Sequence, residues 1–295
     1  MKAATAKSRT RFENIVFATD FSPAAAHAIP FVKKLARHFQ SNIVALHVKP
    51  PVVNPMTQPA TWPADIKAAK LIDEQHREEL LETFVGINTE VLLTTGDIQS
   101  NLGKAIEKYN ADLVVIGTRG RTGLAKMLLG SVAEEIFRTV PCPVLTVGPH
   151  CDPARANIRE ILFATDFASE TPPAAAYALS LAQEFQARLT LLRVVPESRP
   201  GDLVSWSDVR DSAKQMLRKL VPEEAEAWCK PECFVERGDA AERILDLANL
   251  REVDLIVLGA QPERGVPGAA THLPIATAHK VVTHARCPVL TVRSK

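Results

Sequence analysis

The 295-residue chain lacks an excess of charge of either sign: 35 lysines and arginines stand against 34 aspartates and glutamates, a formal net charge of +1. There is no broad field to gather nucleic acid or an anionic membrane surface, so neither is an expected partner. No apolar run approaches the roughly 20 residues that span a bilayer. The polar, basic start from Met1 to Arg11 is not followed by an apolar stretch, which argues against a secretory leader and predicts a cytoplasmic protein. Cysteines are few and odd in number: Cys142, Cys151, Cys229, Cys233 and Cys287. Without a leader, such a set does not make a disulfide framework. Cys229 and Cys233 have no second Cys/His pair beside them to complete the four ligands of zinc, so buried or incidental thiols are expected.

Catalytic signatures are missing as well. There is no H-E-x-x-H, no G-x-S-x-G and no Cys/His nucleophile arrangement. The histidines, among them His47, His76, His272 and His279, show no ligand spacing and are expected on the surface or in loops. No metal site and no catalytic residue is expected.

What is present is an ordinary globular composition, 46% hydrophobic and 23% charged, at a length that suits two domains of about 150 residues. An internal repeat divides them. Phe17-Ala18-Thr19-Asp20-Phe21 recurs as Phe163-Ala164-Thr165-Asp166-Phe167. Cys142-Pro143-Val144-Leu145-Thr146-Val147 recurs as Cys287-Pro288-Val289-Leu290-Thr291-Val292. Gly96-Asp97 matches Gly238-Asp239, and Asp112 to Gly117 matches Asp254 to Gly259. The domains are expected at 12–149 and 157–295, with turn residues from Gly148 to Pro153 as the linker.

Within the first copy, Asn14 to Thr19 is a short apolar run suited to a strand buried on both faces. Ser22-Pro23 offers a helix cap and first-turn proline, although Pro30 inside the following helical pattern points to a later start. Strands are predicted at Ile43 to Val48, Glu90 to Thr95, Leu113 to Gly117 and Val144 to Val147. Helices are predicted from Pro63 to about Phe84, over Asp97 to Tyr109 and over Lys126 to Arg138. The acidic residues Asp73, Glu74, Glu78 and Glu79 read as a solvated helix face. Trp62 and Trp206 hold matching places and are expected to pack over the sheet edge. Strands alternating with helices mean βαβ units, an α/β fold and a parallel sheet.

The chemistry concentrates after the fourth strand. Gly117-Thr118-Arg119-Gly120 is followed, after nine intervening residues, by Gly130-Ser131. A glycine closing a strand lets a ligand approach bare backbone. N–H groups around Gly130, Ser131 and Val132 near a helix start suit phosphate oxygens, and Arg119, Arg121 and Lys126 add positive charge. The pattern is neither a Walker loop nor the G-x-G-x-x-G dinucleotide loop.

The strand ending in Thr-Asp-Phe-Ser, the G-x-x-G-x9-G-S loop and the closing Cys-Pro-Val-Leu strand together resemble the universal stress protein family, twice over nearly the whole chain. The resemblance implies two tandem doubly wound, Rossmann-like domains of the adenine nucleotide alpha hydrolase-like type. Each would hold a five-stranded parallel sheet in the order 3-2-1-4-5, with ligand at the switch point between the first and fourth strands. It implies ATP as the bound nucleotide, which Mg2+ can accompany. Thr19 and Asp20 are then expected against the adenine or ribose, Val48 against the adenine, and Gly117 and Gly120 near the ribose and phosphates. Gly130, Ser131 and Val132 are expected on the phosphates, and Thr118, Arg119 and Arg121 belong to the same binding loop. Asp20 has a second reading as a helix cap beside Ser22, and Val48 as plain core. The family also implies pairing through the last strand, here Val144–Val147 with Val289–Val292 as an internal pseudo-dimer, with further homodimerisation open.

The second copy departs from the pattern. Gly130-Ser131 falls on Ile275-Ala276, Gly120 has no counterpart and the loop is three residues longer. Pro274 removes an N–H and Ile275 puts a branched side chain where phosphate needs bare backbone. ATP is expected in the first domain only. The expected function is a cytoplasmic ATP-binding stress or signalling protein. The alternatives are an enzyme using ATP for slow hydrolysis or adenylyl transfer, though neither H-I-G-H nor S-G-G-x-D-S occurs, and a nucleotide-independent scaffold.

Overall fold

The computed structural model describes residues 10–50, 63–118, 136, 140–153, 156–168, 171–197, 205–260 and 272–293. The first half begins with β1 (Asn14–Ala18), whose Ile15, Val16 and Phe17 are fully buried. Successive strand residues point to opposite faces. Ile15 and Phe17 accordingly enter one core and Val16 the other. A strand covered on both sides must be apolar at every position, which is why no polar alternation shows in the sequence.

Next comes α1 (Pro23–Phe39), started by Ser22, whose side chain accepts the N–H of Ala25 at 3.2 Å, with Pro23 in the first turn. Pro30 does not move the start, contrary to expectation: the helix runs through it to Phe39. Continuing along the chain are β2 (Asn42–Lys49), α2 (Pro63–Thr83), β3 (Thr89–Thr95), α3 (Ile98–Tyr109), β4 (Leu113–Gly117) and β5 (Val144–Val147). The helix expected over Lys126 to Arg138 lies outside the described residues apart from Ile136, which is buried.

The second half repeats the plan with β6 (Glu160–Ala164), α4 (Thr171–Phe185), β7 (Arg188–Val195) and α5 (Trp206–Arg218). A 3₁₀ segment (Glu223–Ala227), β8 (Glu232–Arg237), α6 (Ala240–Leu250), β9 (Leu255–Ala260), α7 (His272–His284) and β10 (Val289–Arg293) complete it. His272 and His279 therefore share one helix. Trp206 meets the edge strand β8 through Arg237, whose guanidinium lies 4.3 Å from its ring centre, while Trp62 lies outside the described residues.

The strands form one sheet in the order β3-β2-β1-β4-β5-β10-β9-β6-β7-β8. Each half follows the expected order 3-2-1-4-5, parallel throughout. Helices α1, α2, α4 and α5 contribute to the core on one face, and α3, α6 and α7 to the core on the other. At the centre, β5 and β10 pair antiparallel, with Val289 opposite Thr146, Leu290 opposite Leu145 and Thr291 opposite Val144. Leu145 and Leu290 are repeat equivalents, 145 residues apart, and the pairs on either side of them exchange with each other, so an isologous contact is built inside one chain. The Thr291 hydroxyl donates to the Val144 carbonyl at 3.2 Å.

The repeat extends to backbone conformation. The described non-glycine residues with positive φ are Phe21 and Phe167, Gln40 and Gln186, and Asn110 and Glu252, which form three equivalent pairs. Gly148 to Cys151 turns against the second half: Cys151 is buried, its N–H bonds to Gly148, and Asp152 N–H donates to the Arg286 carbonyl. The five cysteines are free thiols. Burial pushes the Cys151 thiol up to about 12, which keeps it protonated and unreactive at neutral pH.

Candidate functional site

The C-terminal ends of β1, β2 and β4 meet at the switch point of the first half. Ala18 sits beside Leu46 on one side and Ile116 on the other. This register brings Thr19, Val48 and Gly117 to one edge of the sheet. The Thr19 N–H continues the ladder to the Leu46 carbonyl at 2.9 Å. The chain then reverses through Phe21, whose φ of +59° is unusual for a bulky residue.

Two side chains hold that reversal. The Thr19 hydroxyl oxygen accepts the Phe21 N–H at 3.1 Å, and Asp20 Oδ1 accepts the Ser22 N–H at 3.0 Å. The second half does the same: Thr165 accepts from Phe167 at 3.0 Å and Asp166 Oδ1 from Ala168 at 2.9 Å. The Thr-Asp pair thus has a structural duty in both copies, as short polar side chains commonly do in turns. Ser22, not Asp20, caps α1, and Asp20 orders the turn that delivers the cap.

Phe21 lies under a small aromatic cluster. His76 of α2 stacks on it with ring centres 3.9 Å apart, and His47 meets its edge at 4.9 Å. His47 is 5% exposed, which overturns the expectation of a surface or loop histidine. Its Nδ1 donates to the Thr19 carbonyl at 2.8 Å. Lys49 and Asp73, 2.6 Å apart, tie the end of β2 to α2, so Asp73 is not part of a merely solvated face. Val48 is half-buried and packs against the core.

Gly117 closes β4 where the sequence places it, and α1 dictates its identity. A Cβ there would lie 2.5 Å from the Ala24 carbonyl oxygen and 2.9 Å from the Ala25 nitrogen. Thr118 is 3% exposed; its N–H donates to the Val147 carbonyl, and its hydroxyl has no hydrogen-bond partner among the described residues. Such an orphan beside a strand terminus suits an incoming polar group. Arg119, Gly120, Arg121, Gly130, Ser131 and Val132 lie outside the described residues. Among the described residues no three His, Cys, Asp or Glu side chains gather to hold a metal. A divalent ion entering with a triphosphate would take most of its ligands from phosphate and water. No described helix is long and apolar enough to cross a membrane.

The equivalent crevice of the second half is a cavity of about 360 Å³, set between the ends of β6, β7 and β9. Arg193 stands where the first half has His47, at the offset of 146 residues, and donates to the Thr165 carbonyl at 3.4 Å. Its guanidinium also lies 5.3 Å from the centre of the Phe167 ring. Burial lowers its proton affinity, and Asp166 opposes that. Sequence reasoning missed both His47 and Arg193. The repeat alignment superimposes them, but the two residue types do not look alike.

Comparison with known proteins agrees with this architecture. The model of the "Universal stress protein family" matches residues 11–148 and again 157–293. Universal stress protein Rv1996 of Mycobacterium tuberculosis is 25% identical over 313 residues, covering 95% of this chain and 94% of the relative. Universal stress protein MJ0531 of Methanocaldococcus jannaschii is 34% identical over 144 residues, covering 46% of this chain and 82% of the relative. A solved universal stress protein from Archaeoglobus fulgidus superimposes with a TM-score of 0.70 at 20% identity, covering 95% of this chain and 98% of its own.

Proposed function

The chain belongs to the universal stress protein family, as a tandem two-domain member, and from that membership we propose that it is a cytoplasmic ATP-binding protein of the stress response. The first domain alone takes the nucleotide. One observation carries this reading: Thr19 and Val48 reach one sheet edge with Gly117 and Thr118, from which the G-x-x-G-x9-G-S segment departs directly. Ligands of open α/β sheets bind at that switch point. The orphan Thr118 hydroxyl gives the crevice a spare hydrogen-bonding group for a polar ligand. Nothing in the sequence supplies an activated nucleophile or general base, so turnover is slow or absent.

Isothermal titration of the full chain with ATP and Mg2+ tests it, together with assay of nucleotide released from freshly purified, denatured protein. One ATP per chain is expected, lost in Gly130→Val because the branched side chain occupies the approach of the phosphates. No binding, or equal binding by the variant, sinks the proposal. Two ATP per chain would refute restriction to the first domain, and many ADP or AMP produced per chain would make the protein an enzyme.

A further inference from the structure

The second-domain cavity is built differently from a polyphosphate site. Its apolar floor comes from Ala164, Leu192, Val194, Ile244, Leu258 and Ala278. Its polar groups are Thr165, Asp166, Thr171, Arg193, Asp239 and Thr277. About 360 Å³ falls in the range of small-molecule pockets, and an apolar body with a few convergent polar groups is their usual composition.

The electrostatics then select among ligands. Two carboxylates face this space. Asp166 spends Oδ1 on the Ala168 N–H, and its other oxygen has no hydrogen-bond partner among the described residues. Asp239 caps α6 through Oδ1 on the Glu242 N–H. Among the described residues, the lining cation Arg193 lies in the field of Asp166, and Lys280 beside the cavity is 3.7 Å from Asp239 Oδ2. The described walls therefore carry no surplus positive charge, and a triphosphate would bring several negative charges beside two carboxylates at a large Coulomb cost. Carboxylate oxygens with capacity left bind hydroxyl or amine donors instead, through strong charge-assisted hydrogen bonds.

We infer that the second domain binds an uncharged ligand with a flat apolar ring and at least two hydroxyl or amine donors, of nucleoside or aryl-glycoside size, and rejects nucleoside triphosphates. The ring lies over the aliphatic floor between Leu192 and Leu258, and the donors meet Asp166 and Asp239. This second site is independent of ATP binding by the first domain.

The test uses the full chain carrying Gly130→Val, with NMR of the methyl groups of Leu192, Ile244 and Leu258. Adenosine and phenyl glucoside are the neutral probes and ATP the charged one. At least one neutral probe is expected to shift these methyls, identifying which source of the chemistry fits, with ATP at least about tenfold weaker. Asp166→Asn is expected to weaken the neutral probe about tenfold, the loss of one hydrogen bond to a charged group. Because Asp166 also supports the Phe167 turn, Ala240→Phe, which fills the cavity from its rim, provides a second variant and should abolish the shifts. The inference is overturned if neither neutral probe shifts the methyls at millimolar concentration. It is equally overturned if ATP binds as tightly, or if both variants leave binding unchanged. Failure of ATP to bind the wild-type first domain leaves this readout untouched.

Discussion

His47 Nδ1 lies 2.8 Å from the Thr19 carbonyl oxygen, joining the end of β2 to the turn that leaves β1. A carbonyl only accepts, so Nδ1 carries the proton and the tautomer is fixed by the fold. In the second domain Arg193 makes the equivalent bond to Thr165. Two unlike side chains thus serve equivalent backbone carbonyls in the two domains.

His47→Leu should leave that carbonyl without this donor in a half-buried place. The expected cost is about 1–3 kcal/mol, read as a lower midpoint in urea unfolding. His47→Arg, the residue used at the equivalent place, should recover most of the loss. If both variants unfold like the wild type, the bond contributes nothing.

Gly117→Ala should destabilise the protein without any ligand present. The added methyl meets the Ala24 carbonyl at 2.5 Å, and overpacking against backbone costs about 1–3 kcal/mol. Thermal unfolding of nucleotide-free protein checks this. An unchanged Tm would mean that α1 moves aside freely.

Asp112 gives a pH signature. Its carboxylate accepts the N–H groups of Glu13 and Asn14, yet burial pushes it up to about 6. The folded value lies above the unfolded value near 4, so its stabilising share is complete below about pH 4 and lost as pH rises through 6. Asp112→Asn removes that dependence. The Tm difference, variant minus wild type, should rise between pH 4 and pH 7. On the order of 1 kcal/mol is expected, given the partial exposure. A difference that stays flat with pH would contradict the raised value.

Leu290→Ala addresses the centre of the sheet. Leu290 is 1% exposed and faces Leu145 across the β5–β10 pair, in a core that draws on both halves. A loss of about 2–5 kcal/mol is expected. Hydrogen exchange should show both halves weakened together, whereas loosening confined to residues 157–293 would mean that the halves fold independently.

Much of the fold was legible because it repeats. Each strand is a short apolar run, and the equivalences of Phe17 to Phe21 with Phe163 to Phe167 locate both halves. The strand order came from the family resemblance, since nothing local in β1 says that β2 and β4 flank it. Gly117 was legible as a glycine but not as a neighbour of Ala24, because that contact joins residues 93 positions apart. Thr19 and Asp20 drew attention as ligand contacts, while their hydrogen bonds to Phe21 and Ser22 explain why the second domain keeps the same pair. Pro30 misled because helix rules weigh a proline locally, while the core around Phe31, Val32 and Leu35 holds α1 across it.

The antiparallel seam has a geometric consequence. Strands β1 to β5 all run one way and β6 to β10 the other. The carboxyl ends of the two sets therefore point toward opposite poles of the molecule, and each crevice opens at its own pole. The two crevices are joined through one ten-stranded sheet, with Leu145 and Leu290 at its midpoint. A partner that senses both must either span the whole chain or feel the sheet bend.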